Sequence, residues 1–160
     1  MSISTRALGS NNAEQNTYYP RLLGTRGAIA CEHYLAADTG ADILKAGGNA
    51  VDAAVAATLV EGLVNPHMHT IGGECPMLIC MAGSNQVISV NGNTVAPELA
   101  TVAAYKARGF NTLPDEGVLA AGVPVAFAAL LTALDRFGRL PFAEVAAPAL
   151  SLARNGFPLH

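Results

Sequence analysis

Residues 43–67 of this 160-residue chain are ILKAGGNAVDAAVAATLVEGLVNPH. The Gly-Gly pair at 47–48 ends a preceding helix, because glycine enters the left-handed C-cap conformation without strain. Asn49 then predicts a helix N-cap, and Asp52 three positions later completes a capping box. The residues that follow are rich in alanine and apolar on nearly every face. We therefore expect a helix over 50–63 that packs on more than one side.

Shorter elements are predicted before and after this helix. Residues 27–31 suit a strand, and 36–45 have the spacing of one helix face. Two apolar runs, 77–81 and 86–90, are separated by Gly-Ser-Asn and predict a β-hairpin. Both alternating faces of the first run are apolar, so we expect its strand to be covered on both sides in a layered α/β fold.

The C-terminal part of the sequence predicts three further helical segments. The first covers 98–106. Pro124 opens the second and Gly138 closes it. The third covers 142–154, where Pro148 predicts either a kink or a division into two short helices.

Composition argues against several classes of function. Hydrophobic residues make up 51% of the chain, charged residues 13%, and the net charge is -3. We therefore expect one globular domain that binds neither nucleic acid nor a membrane surface. The uncharged run 117–134 is broken by Gly122 and Pro124, which predicts a buried helix rather than a membrane span. Residues 1–26 are polar and predict an N-terminal arm without a secretory signal, so the cytoplasm is the expected location.

Residue types alone reveal few candidates for chemistry. His67, His69, Glu74 and Cys75 are metal-ligand types, but the histidines lack helical i, i+4 spacing and two glycines separate them from the acid. We expect a turn whose histidines bond the backbone, with no metal and no cofactor. No serine or cysteine lies in a nucleophile-elbow pattern, and neither Gly-Gly pair has the form of a phosphate loop. Spacing therefore predicts no catalytic residue in this chain.

Several motifs in a fixed order resemble the N-terminal part of the large subunit of the γ-glutamyltransferase (γ-glutamyltranspeptidase) family. The likeness covers 27–160. Its motifs are KAGGNAVDAAVA from Lys45, Pro-His at 66–67, IGG from Ile71, VAPELAT from Val95, and the segment GVLAAGVPVAFAALLTALDRFGRLPF with the later LARNGFPL.

The resemblance implies an N-terminal-nucleophile hydrolase, an αββα sandwich of which this chain is a partial piece. Members of that family are proenzymes that cleave themselves into a large and a small subunit. A threonine at the start of the small subunit attacks an amide carbonyl, its own α-amino group serves as base, and an acyl-enzyme forms beside an oxyanion hole. The implied partners are the rest of the large subunit, the small subunit and a small-molecule amide. The catalytic threonine would lie outside this chain, which alone should be inactive.

The arginine with which the family binds the substrate carboxylate has no counterpart here. The family pattern Arg-x-x-Ala-Pro, aligned on Ala96-Pro97, places Asn93 at the arginine position. In relatives with the arginine directly before Ala-Pro, the matching residue is Val95. Asparagine lacks the charge and the fork of a guanidinium, so affinity for a γ-glutamyl carboxylate should fall by roughly 1.5–3 kcal/mol or more. Asn93 is thus the candidate substrate-binding residue, and glutathione is not the expected substrate.

Other readings of the sequence remain open. Glu74 stands at a position where the family has a further glycine. It either reflects sequence drift in a structural turn or, together with His69, reshapes the pocket for another acyl group. The enzyme could be an acylase for another amide, such as a cephalosporin side chain or a small oxo-acid amide. A non-catalytic scaffold module of the same fold is the alternative outside enzymology.

Overall fold

The computed structural model describes residues 23–159, so most of the predicted N-terminal arm lies outside the described residues. Helices dominate this range, and one β-hairpin accompanies them. In chain order the elements are α1 (Tyr34–Lys45), α2 (Ala50–Val64), β1 (Met77–Cys80), β2 (Val87–Val90), α3 (Val102–Ala107), a short 3₁₀ helix (Val118–Ala120), α4 (Ala126–Phe137) and α5 (Phe142–Asn155). Within the described range, no helix has the length and hydropathy to cross a membrane.

Helix α2 forms the centre of the fold and packs against α1, α4 and α5. Val55, Ala56 and Val60 on this helix are buried to 1% exposure or less. Its small side chains let neighbouring backbones approach closely, and a Cβ on Gly40 of α1 would lie 3.3 Å from the carbonyl oxygen of Ala53. The predicted helix, with burial on several sides, is confirmed.

The predicted capping box opens α2 and extends further than expected. Oδ1 of Asn49 accepts from the N–H groups of Val51 (2.8 Å) and Asp52 (3.1 Å), while Oδ2 of Asp52 accepts from the Asn49 N–H at 2.7 Å. The Asp52 carboxylate is fully buried and also accepts from the backbone N–H groups of Arg139 and Leu140, at 2.9 to 3.2 Å. One aspartate therefore caps α2 and fixes the connection between α4 and α5.

A glycine makes this connection possible. Gly138 closes α4, as predicted, but its φ of -73° is not left-handed. A Cβ there would lie 2.7 Å from Oδ1 of Asp52 and 2.6 Å from the Leu134 carbonyl oxygen. Next to it, the Asn49 side-chain amide donates to the Phe137 carbonyl at 2.6 Å. Close approach, rather than a left-handed backbone, therefore requires glycine at this position.

The hairpin forms as predicted but is covered on one face only. Strands β1 and β2 pair antiparallel, with Met77 opposite Val90. Ile79 joins the helical core at 8% exposure, whereas Leu78 on the other face is 77% exposed. The prediction that β1 is covered on both sides is wrong for the described residues, because their sheet has two strands and helices on one side.

Two predictions in the N-terminal half and the middle of the chain are wrong in detail. Residues 27–31 form no strand, because no described strand pairs with them and the Ile29 side chain packs on Gly40 of α1 instead. Helix α3 begins at Val102 rather than at 98, since the Thr101 side chain caps it.

Helix α5 is continuous through Pro148, so of the two predicted alternatives, a kink or a division into two short helices, the division is wrong. Pro148 lacks an N–H and interrupts one intrahelical bond. Val145 and Ala149, on either side of the proline, are buried in the same core, and this shared apolar face holds both halves as one helix.

Candidate functional site

The segment before β1 and the segment after β2 pass close to each other at the end of the hairpin. We term this crossing, which consists of residues 73–75 and 92–94, the Glu74–Asn93 site. The Cys75 N–H donates to the Gly92 carbonyl at 2.8 Å, which extends the pairing of the strands. Gly92 is buried, and a Cβ on it would lie 2.0 Å from the Cys75 carbonyl oxygen. Only glycine allows this crossing.

Thr94 anchors the carboxylate of Glu74. Oε1 of Glu74 accepts from the Thr94 N–H at 2.9 Å and from its hydroxyl at 2.5 Å. The hydroxyl first, and the backbone N–H second, lower the pKa of Glu74 from its ordinary value of 4.5. The side chain is exposed to solvent. A fixed negative charge therefore lies at the site surface at neutral pH.

Asn93 lies between Gly92, which bonds Cys75, and Thr94, which bonds Glu74. It is exposed, and its backbone N–H and Nδ2 both donate to Oδ1 of Asn91, at 3.3 and 2.7 Å. The sequence contains no lysine or arginine between Lys45 and Lys106. The segments that form the site therefore carry one fixed negative charge and no positive one.

The site is tied to the start of α4. Val95, the other position considered for the family arginine, forms an isolated bridge in which its carbonyl accepts from the Val123 N–H at 2.9 Å. The Gly73 carbonyl accepts from the N–H groups of Val125 (3.3 Å) and Ala126 (3.0 Å). These bonds place the crossing against a rigid element of the core.

Two cavities adjoin the site. One, of about 500 Å³, has mainly apolar walls that include Thr94 and Val95, and Lys106 is its charged residue. The other, of about 360 Å³, is lined by the turn 66–70 together with Gly73 and Glu74. The Glu74–Thr94 contact therefore links the walls of both cavities.

The residues considered as metal ligands do not form a metal site. His67 is exposed, and Nε2 of His69 is buried without a hydrogen-bond partner among the described residues, so this atom does not make the expected bond to the backbone. Burial raises the pKa of the Cys75 thiol, which favours its neutral form. Across residues 23–159, no three histidine, cysteine or acidic side chains are grouped so that they could hold a metal ion.

The sequence indicates two features of the site only in part, namely the fixed carboxylate of Glu74 and the lack of lysine and arginine near it. The resemblance predicts glycine at the position of Glu74, which draws attention to this residue, but Thr94 is 20 positions away and nothing local connects the two residues. The absence of lysine and arginine between Lys45 and Lys106 is a sequence property whose importance depends on the folded crossing.

Comparison with known proteins identifies what this arrangement resembles. The family model described as gamma-glutamyltranspeptidase matches residues 36–160. A glutathione hydrolase proenzyme from Escherichia coli (strain K12) is 36% identical, with 92% of this chain covering 26% of that protein. The chain thus spans about a quarter of that relative's length.

Solved structures agree with the sequence matches. A γ-glutamyltranspeptidase from Helicobacter pylori has a TM-score of 0.79 at 32% identity, over 86% of this chain and 40% of that one. A cephalosporin acylase from Bacillus halodurans has a TM-score of 0.76 at 35% identity, over 91% of this chain and 28% of that one. The predicted fold class is confirmed: this chain is a partial piece of a mixed helix-and-sheet N-terminal-nucleophile hydrolase fold.

Proposed function

Because this chain belongs to the γ-glutamyltranspeptidase family, we propose that it is the N-terminal part of a self-cleaving amidohydrolase whose acyl donor is not a γ-glutamyl compound. The chain supplies the helical layer around α2 and one wall of the substrate pocket, at the Glu74–Asn93 site. Its partners are the rest of the large subunit and the small subunit. Alone it is inactive.

The proposed chemistry proceeds through an acyl-enzyme. A threonine outside this chain loses its hydroxyl proton to its own α-amino group while its oxygen attacks the amide carbonyl. The tetrahedral intermediate expels the amine, which takes that proton, and water then hydrolyses the ester to release the acid. An oxyanion hole outside this chain stabilises both tetrahedral intermediates.

The observation that carries the choice of donor is the neutral Asn93. Its amide is already bonded to Oδ1 of Asn91. A guanidinium binds a carboxylate with two parallel charge-assisted bonds, and an asparagine side chain supplies neither that charge nor that geometry. A donor without a carboxylate at this point fits the site better than a γ-glutamyl group does.

An acylase acting on another amide is one form of this proposal, because acylases occur among the proteins that this chain resembles. The cephalosporin acylase from Bacillus halodurans is 35% identical to this chain and the glutathione hydrolase proenzyme from Escherichia coli is 36% identical, so identity does not separate the two activities. A cephalosporin side chain and a small oxo-acid amide are the donors that the sequence resemblance offers for a first assay.

Self-cleavage is the direct test of the proposed function. The complete reading frame is expressed, and intact mass is followed over time together with N-terminal sequencing. We expect two pieces, the second beginning with threonine, and hydrolysis of an acyl amide only after cleavage. A complete protein that never cleaves and hydrolyses no amide would falsify the proposal and leave the scaffold interpretation.

A further inference from the structure

We infer that Glu74 is a specificity-determining residue that selects acyl groups with a positively charged end, where a γ-glutamyl donor would present its carboxylate. The inference rests on the proposed function and specifies its substrate class as an amide of a cationic, amine-bearing acid. Glu74 touches neither the nucleophile nor the scissile bond in this proposal.

The first support is that the carboxylate is held in place. Both donors of Thr94 bond the same oxygen, Oε1 of Glu74. Among residues 23–159, Oε2 of Glu74 accepts no hydrogen bond, and the side chain is exposed. One oxygen is therefore fixed by the protein, while the other remains available to a ligand without the cost of ordering a flexible side chain.

The second support is the charge around the site. Asn93, directly before Thr94, is neutral, and no lysine or arginine lies between Lys45 and Lys106 in the sequence. His67 and His69 line the smaller cavity together with Glu74. A ligand carboxylate beside Glu74 would meet a like charge, whereas an ammonium would meet an opposite one. Lys106 is the one basic residue in the wall of the adjoining 500 Å³ cavity, so it is the competing determinant that a test must separate.

The third support is the shape of the site. Thr94 contributes to the wall of the large apolar cavity and also bonds Glu74, which lines the smaller one. Through Thr94, the wall of the large cavity therefore adjoins the carboxylate of Glu74. This arrangement fits an acyl chain of a few methylenes with a terminal cation.

A set of four donors separates the charges of the γ-glutamyl group. The p-nitroanilides of γ-glutamate, 4-aminobutanoate, glutarate and butanoate carry respectively both charges, the ammonium only, the carboxylate only and neither. The kcat/KM for each is measured with the complete, self-cleaved protein and with its Glu74→Gln variant, which keeps an acceptor oxygen for Thr94. Glu116→Gln is the matched control, since Glu116 is an exposed glutamate outside the site.

We expect the unsubstituted protein to prefer 4-aminobutanoyl over butanoyl by roughly tenfold and to disfavour glutaryl. Glu74→Gln should reduce the ammonium preference to about twofold or less by lowering kcat/KM for the 4-aminobutanoyl donor more than for the butanoyl donor, while Glu116→Gln alters neither ratio. Equal use of ammonium and neutral donors, or equal losses on all four donors in Glu74→Gln, would overturn the inference. A glutaryl preference that Lys106→Gln removes would also overturn it and assign the selectivity to Lys106.

A binding measurement keeps the inference separate from the proposed function. If the complete protein neither cleaves itself nor hydrolyses any amide, the proposed function fails by itself. Calorimetric titration with 4-aminobutanamide and butanamide then decides the inference: tighter binding of the amine-bearing amide, lost in Glu74→Gln, supports it. Equal affinities for the two amides would refute it.

Discussion

Two carboxylates, Asp52 and Glu74, show how differently this fold uses the same chemical group. Asp52 is completely buried and accepts from three backbone N–H groups, those of Asn49, Arg139 and Leu140. Glu74 is exposed and accepts from one residue through one oxygen. The first carboxylate has its bonding capacity occupied within the core, whereas the second retains an oxygen that faces solvent. A buried carboxylate whose acceptor sites are all occupied, like that of Asp52, therefore serves as a structural anchor. An exposed carboxylate with a free acceptor oxygen, like that of Glu74, can act on a ligand.

The largest effect should come from removing the anchor. Asp52→Ala leaves the three N–H groups buried without acceptors, which should lower the free energy of unfolding by at least about 3 kcal/mol. Urea unfolding of the complete protein measures this loss. Asp42→Ala is the control, because Asp42 pairs only with Lys45 at the exposed end of α1. Equal loss in both variants would contradict the assignment of Asp52 as the anchor.

A smaller loss of stability is expected at the Glu74–Asn93 site. Gly92→Ala brings a Cβ to within 2.0 Å of the Cys75 carbonyl oxygen, so the crossing must open. We expect a cost of about 1–3 kcal/mol, with a decrease in amide turnover. Gly72→Ala is the matched control, since a Cβ there meets only the Thr70 hydroxyl at 3.6 Å. Unchanged activity in Gly92→Ala would show that the crossing does not shape the pocket.

The next substitution affects substrate choice rather than stability. Asn93→Arg introduces a guanidinium at the position that we propose for the family arginine, and it should raise kcat/KM for γ-glutamyl-p-nitroanilide by roughly tenfold. Asn93→Gln adds length without charge and should leave that value unchanged. A null result for Asn93→Arg would indicate that this position does not face the donor's carboxylate.

The smallest effect concerns the titration of Glu74 itself. The Thr94 hydroxyl is the leading cause of the lowered pKa, so Thr94→Val should raise the pKa of Glu74 toward 4.5. Because the folded-state pKa is the lower one, the associated stability is present above the ordinary pKa and is lost as the pH falls through the folded value. Carbon-13 NMR titration of the glutamate carboxyl groups measures the change. An unchanged Glu74 titration in Thr94→Val would contradict the hydroxyl as its cause.

Local signals explain the parts of the fold that sequence predicts well. The cap at Asn49, the alanine-rich helix and the Gly-Ser-Asn turn all depend on residues within a few positions of one another. The contacts of Asp52 with Arg139 and Leu140 span 87 and 88 positions, and no periodicity encodes them. Asp52 was therefore recognised as a cap but not as the link to α5.

Elements that need a distant neighbour were predicted poorly. Residues 27–31 have a strand-like composition, yet composition cannot supply a pairing partner. The apolar residue Leu78 predicted a second covering layer that the described residues do not contain. At the candidate site, Asn93 and Glu74 stood out as departures from the family pattern, whereas the contact that fixes Glu74 required the fold.

The central claim, that this pocket disfavours a donor carboxylate, is tested most directly by two substrates. The p-nitroanilides of 4-aminobutanoate and γ-glutamate differ only by that carboxylate, and kcat/KM for both is measured with the complete, self-cleaved protein. We predict faster hydrolysis of the 4-aminobutanoyl compound. A clear preference for the γ-glutamyl compound would contradict the proposed roles of Asn93 and Glu74.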